Sequence, residues 1–253
     1  MLMIGKQLSA EQRLSKAVVD IMGNPKYIAL AGVLMIGSRV VDDKVKTACT
    51  NGRDEKYGRA FIETLSDAEL RFLVLHECYH KLYRHLTTWR HLYDKNAQLA
   101  NAACDYVINI KLTDDNTDGF AIMPKVGLLD AKYRGMDSAQ VYKLLEDDQQ
   151  DSGGGQGGDS GDGDSGTGIE DSDGGMDAHD WDGAQDMTAE ETKELARDID
   201  EAIRQGALAA GKLGSGGDRM FEDLLQTKID WREALREFIS TTCQGNDYST
   251  WRR

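Results

Sequence analysis

The chain has no pair of cysteines at Cys-x-x-Cys spacing, no long uncharged apolar run and no excess of basic charge, and each absence removes a class of protein. Its four cysteines, Cys49, Cys78, Cys104 and Cys243, are scattered over 253 residues. That spacing argues against a disulfide scaffold and against a cysteine-based zinc knuckle, and it fits reduced thiols in a cytosolic setting. No window approaches the roughly 18 apolar residues of a spanning helix, so no membrane association is expected. The start, Met1-Leu2-Met3-Ile4-Gly5-Lys6-Gln7, turns polar at once, without the apolar core and cleavage site of a secretory signal. A cytoplasmic location is the resulting expectation.

Charge is distributed unevenly. The net value is −14, from 30 Lys and Arg against 44 Asp and Glu, and thirteen of those acids lie between Glu146 and Asp182, where no Lys or Arg occurs. The remainder is close to neutral, so no basic surface for nucleic acid is expected. Within the acidic stretch, Asp151 to Gly183 is Gly, Asp and Ser with almost nothing to bury, a composition that does not offset the entropy of ordering. The expected organisation is a first domain over 1–146, an acidic disordered linker over 147–186, and a helical C-terminal region over 187–253 that packs on the first domain.

What is present is mainly helical. Ser9-Ala10-Glu11-Gln12 and Ser66-Asp67-Ala68-Glu69 have the form of capping boxes, each opening an amphipathic run. The first run ends near Gly23-Asn24-Pro25, and the second carries Leu70, Leu73, Val74 and Tyr79. A further helix is expected from about Ala97 to Leu112, a short one from the Asp137-Ser138-Ala139-Gln140 cap to Leu145, and another from Thr188 to about Leu213. Arg219 to Gln226 and Ile229 to Ser240 read as two more helices. Tyr27 to Val41 is ambiguous between buried helix and strand. Lys44 to Thr50, Asn51-Gly52 and Arg53 to Tyr57 read as a β-hairpin, because Asn-Gly readily takes the positive φ of a tight turn. The fold class expected is α+β.

The chemistry-bearing residues are His76-Glu77-Cys78-Tyr79-His80. On a helix, residues four apart share a face, so both imidazoles reach one metal ion while Glu77 stands beside it to act on a water. Five histidines in the whole chain make a chance match of this form rare. A solvated helix carrying two ordinary histidines is the bland alternative, but Phe72-Leu73-Val74-Leu75 would bury the helix. Neutral imidazoles plus a carboxylate suit Zn²⁺ with one open position. For a third ligand Asp105 is preferred, as a carboxylate between Ala103 and Val107 that needs compensation for burial. His85 and His91 compete. His85 would face the opposite side of the helix unless the helix ends before it. Asn109, one turn beyond Asp105, is placed to orient a ligand histidine. His179 is most simply solvent-exposed.

These residues resemble bacterial and phage predicted metal-dependent peptidases, whose longer members join an N-terminal zincin-like domain to a C-terminal VWA-like domain. The likeness runs through Thr47-Ala48-Cys49-Thr50-Asn51-Gly52 before Tyr57 and Phe61, Leu65-Ser66, His76-Glu77-x-x-His80 with His85, Ala103-x-Asp105-x-x-Ile108-Asn109, and Asp230-Trp231-Arg232-Glu233-x-Leu235-Arg236-x-Phe238. It implies a gluzincin-type arrangement, in which the hairpin supplies the edge strand above the metal, and it adds weight to Asp105. The chain ends at Trp251-Arg252-Arg253, about where longer relatives continue into the VWA-like part. Relatives of this kind are often encoded beside MoxR-type AAA+ ATPases, so such a partner is implied.

The expected function is zinc-dependent hydrolysis of a peptide or protein substrate, with His76, His80 and Asp105 holding Zn²⁺ and Glu77 moving the proton. The alternative is a non-proteolytic, zinc-containing adaptor that works with a MoxR-type ATPase or another protein. Glu77 favours catalysis, because a purely structural site has no use for a carboxylate beside its first histidine.

Overall fold

The computed structural model describes residues 8–152 and 180–212. The helices expected over 219–226 and 229–240, together with His179 and Cys243, lie outside the described residues. Among the described residues the fold is mainly helical with one small sheet, as the sequence predicts.

Two capping boxes start two of the longest helices. Ser9 opens α1 (Ala10–Gly23) and Ser66 opens α4 (Asp67–Leu82), and in each the serine N–H donates back to the side chain of Gln12 or Glu69. α4 is buried almost all round from Leu70 to Leu82. A helix of that kind belongs at the centre of a domain rather than on its surface. It packs against α1, α2 (Ala31–Leu34), α7 (Ala97–Asp115) and the sheet.

The ambiguous stretch over 27–41 contains both structures: a 3-10 turn at Ile28–Leu30, α2, and then β1 (Arg39–Asp42). The expected hairpin is present, with shorter strands. β2 (Ala48–Thr50) and β3 (Glu55–Gly58) are antiparallel. The turn sits one residue later than Asn-Gly alone suggests. Asn51 closes onto Asp54 across Gly52 and Arg53, and Gly52 takes φ +90° at the first central position, where only glycine is unstrained. β1 joins the other side of β3 in parallel, giving the order β1-β3-β2. The sequence offers that third strand only as one alternative over 27–41, and its pairing with β3 has no local signal, because the partner is reached through a crossover.

Downstream, α3 (Arg59–Thr64) leads into α4, and α5 (His85–Thr88) and α6 (Arg90–Tyr93) lead from it to α7. Helix α7 divides two cores. Ile108 and Leu112 join the main core around α4, whereas Leu99, Ala103 and Ile110 pack with Val141, Tyr142 and Leu145 of α8 (Ser138–Ser152). α8 runs past Leu145 into the stretch expected to be linker, where Lys132 reaches Asp148 at 3.3 Å. At the far margin α9 (Trp181–Gln185) starts on an Asp180 cap. Helical residues are therefore present at both margins of the acidic stretch.

α10 (Ala189–Lys212) buries Leu195, Ile199, Ile203 and Ala210 against the first half of the chain. Its approach to the 3-10 turn is so close that a Cβ at Gly206 would lie 1.9 Å from the Ala29 carbonyl oxygen. Among the described residues no single helix is long and apolar enough to cross a membrane. α1 with the helical turns at 28–34 passes that test only as a pair, bent by 116°, and the apolar faces of both lie in the main core.

Candidate metal centre

The site forms where the middle of α4 meets the middle of α7. Residues 105, 108, 109 and 112 recur at three- and four-residue spacing, so one face of α7 presents Asp105, Ile108, Asn109 and Leu112 to α4. The more apolar face, with Ala103, Tyr106, Val107 and Ile110, turns to the second core. The polar face thus meets the histidine motif across a buried interface.

Three ligand-type atoms converge there. His76 Nε2 and His80 Nε2 are 3.0 Å apart, and Asp105 Oδ1 lies 3.5 Å from the first and 3.4 Å from the second. Four ligands at zinc's usual distance of about 2.0–2.1 Å form a tetrahedron with edges of roughly 3.3 Å. The observed triangle has the size of one face of that tetrahedron, so the donor set fits a small divalent ion and leaves a fourth position for another ligand.

The hydrogen bonds behind the imidazoles fix how they present themselves. Asn109 Nδ2 donates to the Leu128 carbonyl at 3.0 Å, which leaves its Oδ1 as an acceptor 2.9 Å from His76 Nδ1. His76 Nδ1 therefore carries the proton, and the Nε2 lone pair points into the triangle. His80 Nδ1 faces His85 Nδ1 at 3.2 Å. If His80 Nε2 bears a lone pair, its Nδ1–H donates to His85.

His85 is thus brought to the site, but behind His80 and outside the triangle. It gets there because α4 stops at Leu82 and Arg84 takes the left-handed conformation at φ +53°, which turns the chain back on itself. His91 is exposed and its ring packs near Trp89, so the structure does not bring it to the other histidines.

Glu77 follows His76 on α4 and is fully buried, like His76 and His80. Its charge is felt by the buried Tyr57 phenol, which is raised well above its ordinary value by burial first and then by Glu55 and Glu77. Tyr79 and Tyr83 stack edge to face at 5.5 Å, and burial raises both phenols. Packing accounts for these two tyrosines.

A second buried polar cluster adjoins the site and was missed by sequence reasoning. Glu55 and Lys81 are both fully buried and paired at 2.5 Å; Arg39 Nε reaches Glu55 at 2.6 Å, the Tyr57 hydroxyl donates to it at 2.7 Å, and Lys81 donates to the Ile36 carbonyl at 3.0 Å. This cluster ties the central strand β3 to the turn of α4 that carries His80. The available signal was Lys81 itself: a lysine directly after His80, on a helix that Phe72-Leu73-Val74-Leu75 would bury, requires a carboxylate somewhere.

With this geometry in view, comparison with known families is decisive. Residues 9–253 match the model of a family described as a "Putative metallopeptidase domain". The chain belongs to that family. No curated protein and no solved structure gave a match. Family membership and the convergence of His76, His80 and Asp105 together support a metal-dependent peptidase.

Proposed function

We propose that the protein is a zinc-dependent peptidase of zincin type, with His76, His80 and Asp105 as protein ligands and Glu77 as general base. The observation that carries this reading is the triangle of His76 Nε2, His80 Nε2 and Asp105 Oδ1, with sides of 3.0–3.5 Å and a glutamate next in sequence to its first member. His76, His80 and Asp105 would hold a divalent ion there, which would supply Lewis acidity to a water and to the scissile carbonyl. Glu77 then accepts the proton from the attacking water and delivers it to the leaving amine. Asn109 and His85 hold the imidazole planes, so that neither ring has to reorient during the reaction. β2, at the edge of the sheet and packed on α4, offers main-chain groups to an extended substrate by strand addition.

The test joins metal content to hydrolysis. Protein purified without added metal should hold close to one zinc per chain, and His80→Ala and Asp105→Ala should lose it. Glu77→Gln should keep the zinc and lose cleavage of denatured casein. Retention of zinc by Asp105→Ala would remove Asp105 from the ligand set, and casein cleavage by Glu77→Gln would remove the proposed base.

One observation favours the adaptor reading. His76, Glu77, His80 and Asp105 are at most 1% exposed, as suits a closed structural site. A wild type that binds zinc, cleaves nothing and captures a MoxR-type ATPase would establish that reading in place of the first.

A further inference from the structure

The burial of the site poses a geometrical problem for the peptidase reading, since a peptide has to reach groups that are sealed. The outer edge of β2 shows what stands in the way. Hydrogen-bonded pairs alternate along an antiparallel ladder. Gly58 N–H donates to Thr47 O at 2.7 Å and Asn51 N–H to Asp54 O at 3.2 Å, with Cys49 opposite Lys56 between them. Residues 47, 49 and 51 therefore turn their main chain inward to β3, and Ala48 and Thr50 turn theirs outward. Those outward groups are the ones an added strand would use.

One of them is already taken. Asp180 N–H donates to the Thr50 carbonyl at 3.0 Å, and Asp180 Oδ2 pairs with Lys56 on β3 at 3.3 Å. The same residue starts α9: its Oδ1 accepts from Gly183 N–H at 2.8 Å and its carbonyl from Ala184 N–H at 3.0 Å. A Cβ at 183 would lie 2.7 Å from Asp180 Oδ2, so glycine there lets the carboxylate sit close over the first turn of α9. α9 in turn packs on α5, the helix whose first residue, His85, backs His80.

We propose that Asp180–Gln185 is an internal strap that occupies the substrate edge of β2 and holds the enzyme latent. This inference rests on the peptidase reading and specifies how the site is regulated. The strap is held to the sheet by one main-chain hydrogen bond and one ion pair between partly exposed side chains, at 44% for Lys56 and 28% for Asp180. An extended polypeptide offering several main-chain groups to Ala48 and Thr50 outcompetes it. Unfolded protein, which presents such segments, is the substrate class that opens the site.

The experiment uses the full zinc-loaded chain and two independent readouts, the rate at which 1,10-phenanthroline strips zinc and the rate of denatured-casein hydrolysis. Asp180→Pro deletes the N–H that Thr50 accepts together with the carboxylate that pairs with Lys56 and caps α9, and both rates should rise at least about tenfold. Lys56→Ala removes only the ion pair at a partly exposed position where folding is not at risk, and both should rise about twofold. Unchanged stripping in both variants would overturn the strap, and if wild type meanwhile cleaves casein at the variants' rate, the peptidase reading stands without it. Faster stripping with no hydrolysis by any of the proteins would show that 180–185 shields the metal, and would overturn the peptidase reading and the latency proposed with it.

Discussion

Two buried polar clusters meet on the turn of α4 that carries His80 and Lys81, and they solve the problem of buried charge in opposite ways. Around Lys81 the chain supplies both signs: Glu55 lies between Lys81 and Arg39, and the Tyr57 hydroxyl donates to the same carboxylate. Around His80 the chain gathers electron-pair donors, with two imidazole nitrogens and a carboxylate oxygen within 3.5 Å of one another. Lone pairs held that close repel unless something positive sits among them, so this cluster suits a cation from outside. The first cluster is a fastener and the second is a socket, and the fastener fixes the strand beside the socket.

The largest expected effect that separates them is on the fastener. Glu55→Gln leaves the fully buried Lys81 ammonium without its carboxylate, and about 3–5 kcal/mol of folding stability should be lost. Lys81→Met should cost clearly less, because Arg39 still neutralises Glu55 and a methionine fills a similar volume. Urea denaturation of the two variants checks this. Equal losses would mean that Arg39 does not share the carboxylate.

Acid should erase the difference between wild type and Glu55→Gln. Burial by itself raises the Glu55 pKa, but Lys81 and Arg39 more than compensate and hold it below its ordinary value of 4.5. A carboxyl depressed on folding contributes its full stabilisation above the unfolded value and loses it as pH falls through the folded one. The gap in urea midpoint between the two proteins should therefore be constant from pH 7 to about 5 and close progressively below about 4.5. A gap that persists unchanged at pH 3 would place the Glu55 effect in packing and not in charge.

In the socket, the expected change is in affinity and not in folding. Asn109→Ala removes the acceptor that holds the His76 tautomer, and zinc should bind about 10–100-fold more weakly. His85→Ala should do the same through His80. Competition titration against a chelator of known affinity measures both. If either variant loses zinc altogether, that residue is a ligand and the three-atom triangle is incomplete.

The two clusters also differ in how much of them the sequence discloses. His76 and His80, and likewise Asp105 and Asn109, are each four residues apart, so helical periodicity alone puts each pair on one face, and the capping boxes at Ser9 and Ser66 locate two of the helices. Glu55, Arg39 and Lys81 meet only through the parallel pairing of β1 with β3 and the packing of the sheet on α4, contacts that no local pattern encodes. Glu55 and Arg39 look like the solvated faces of short strands until the sheet order is known. His85 is intermediate: its distance from His76 in sequence is legible, but its return to His80 depends on Arg84 adopting a left-handed backbone, a choice with no signature in an arginine. The segment at 180–185 was hidden for a different reason, since a few structured residues at the margin of a Gly, Asp and Ser tract do not alter its composition.

The smallest effect separates the helix from the site it carries. Ser66 accepts from the Glu69 N–H, and Glu69 returns a bond to the Ser66 N–H, at an exposed end of α4. Ser66→Ala should lower stability by about 1 kcal/mol. His76 lies ten residues further on, nearly three turns away, where its ring is held by Asn109 from α7 and by nothing at the cap. Fraying of the first turn therefore has no path to the ligand atoms, and zinc affinity should stay within about twofold of wild type while the urea midpoint falls. Asn109→Ala should give the converse pattern of weakened zinc binding. A parallel loss of zinc affinity in Ser66→Ala would show that the socket is held by the integrity of the whole helix, and the division of labour between the two clusters would fail.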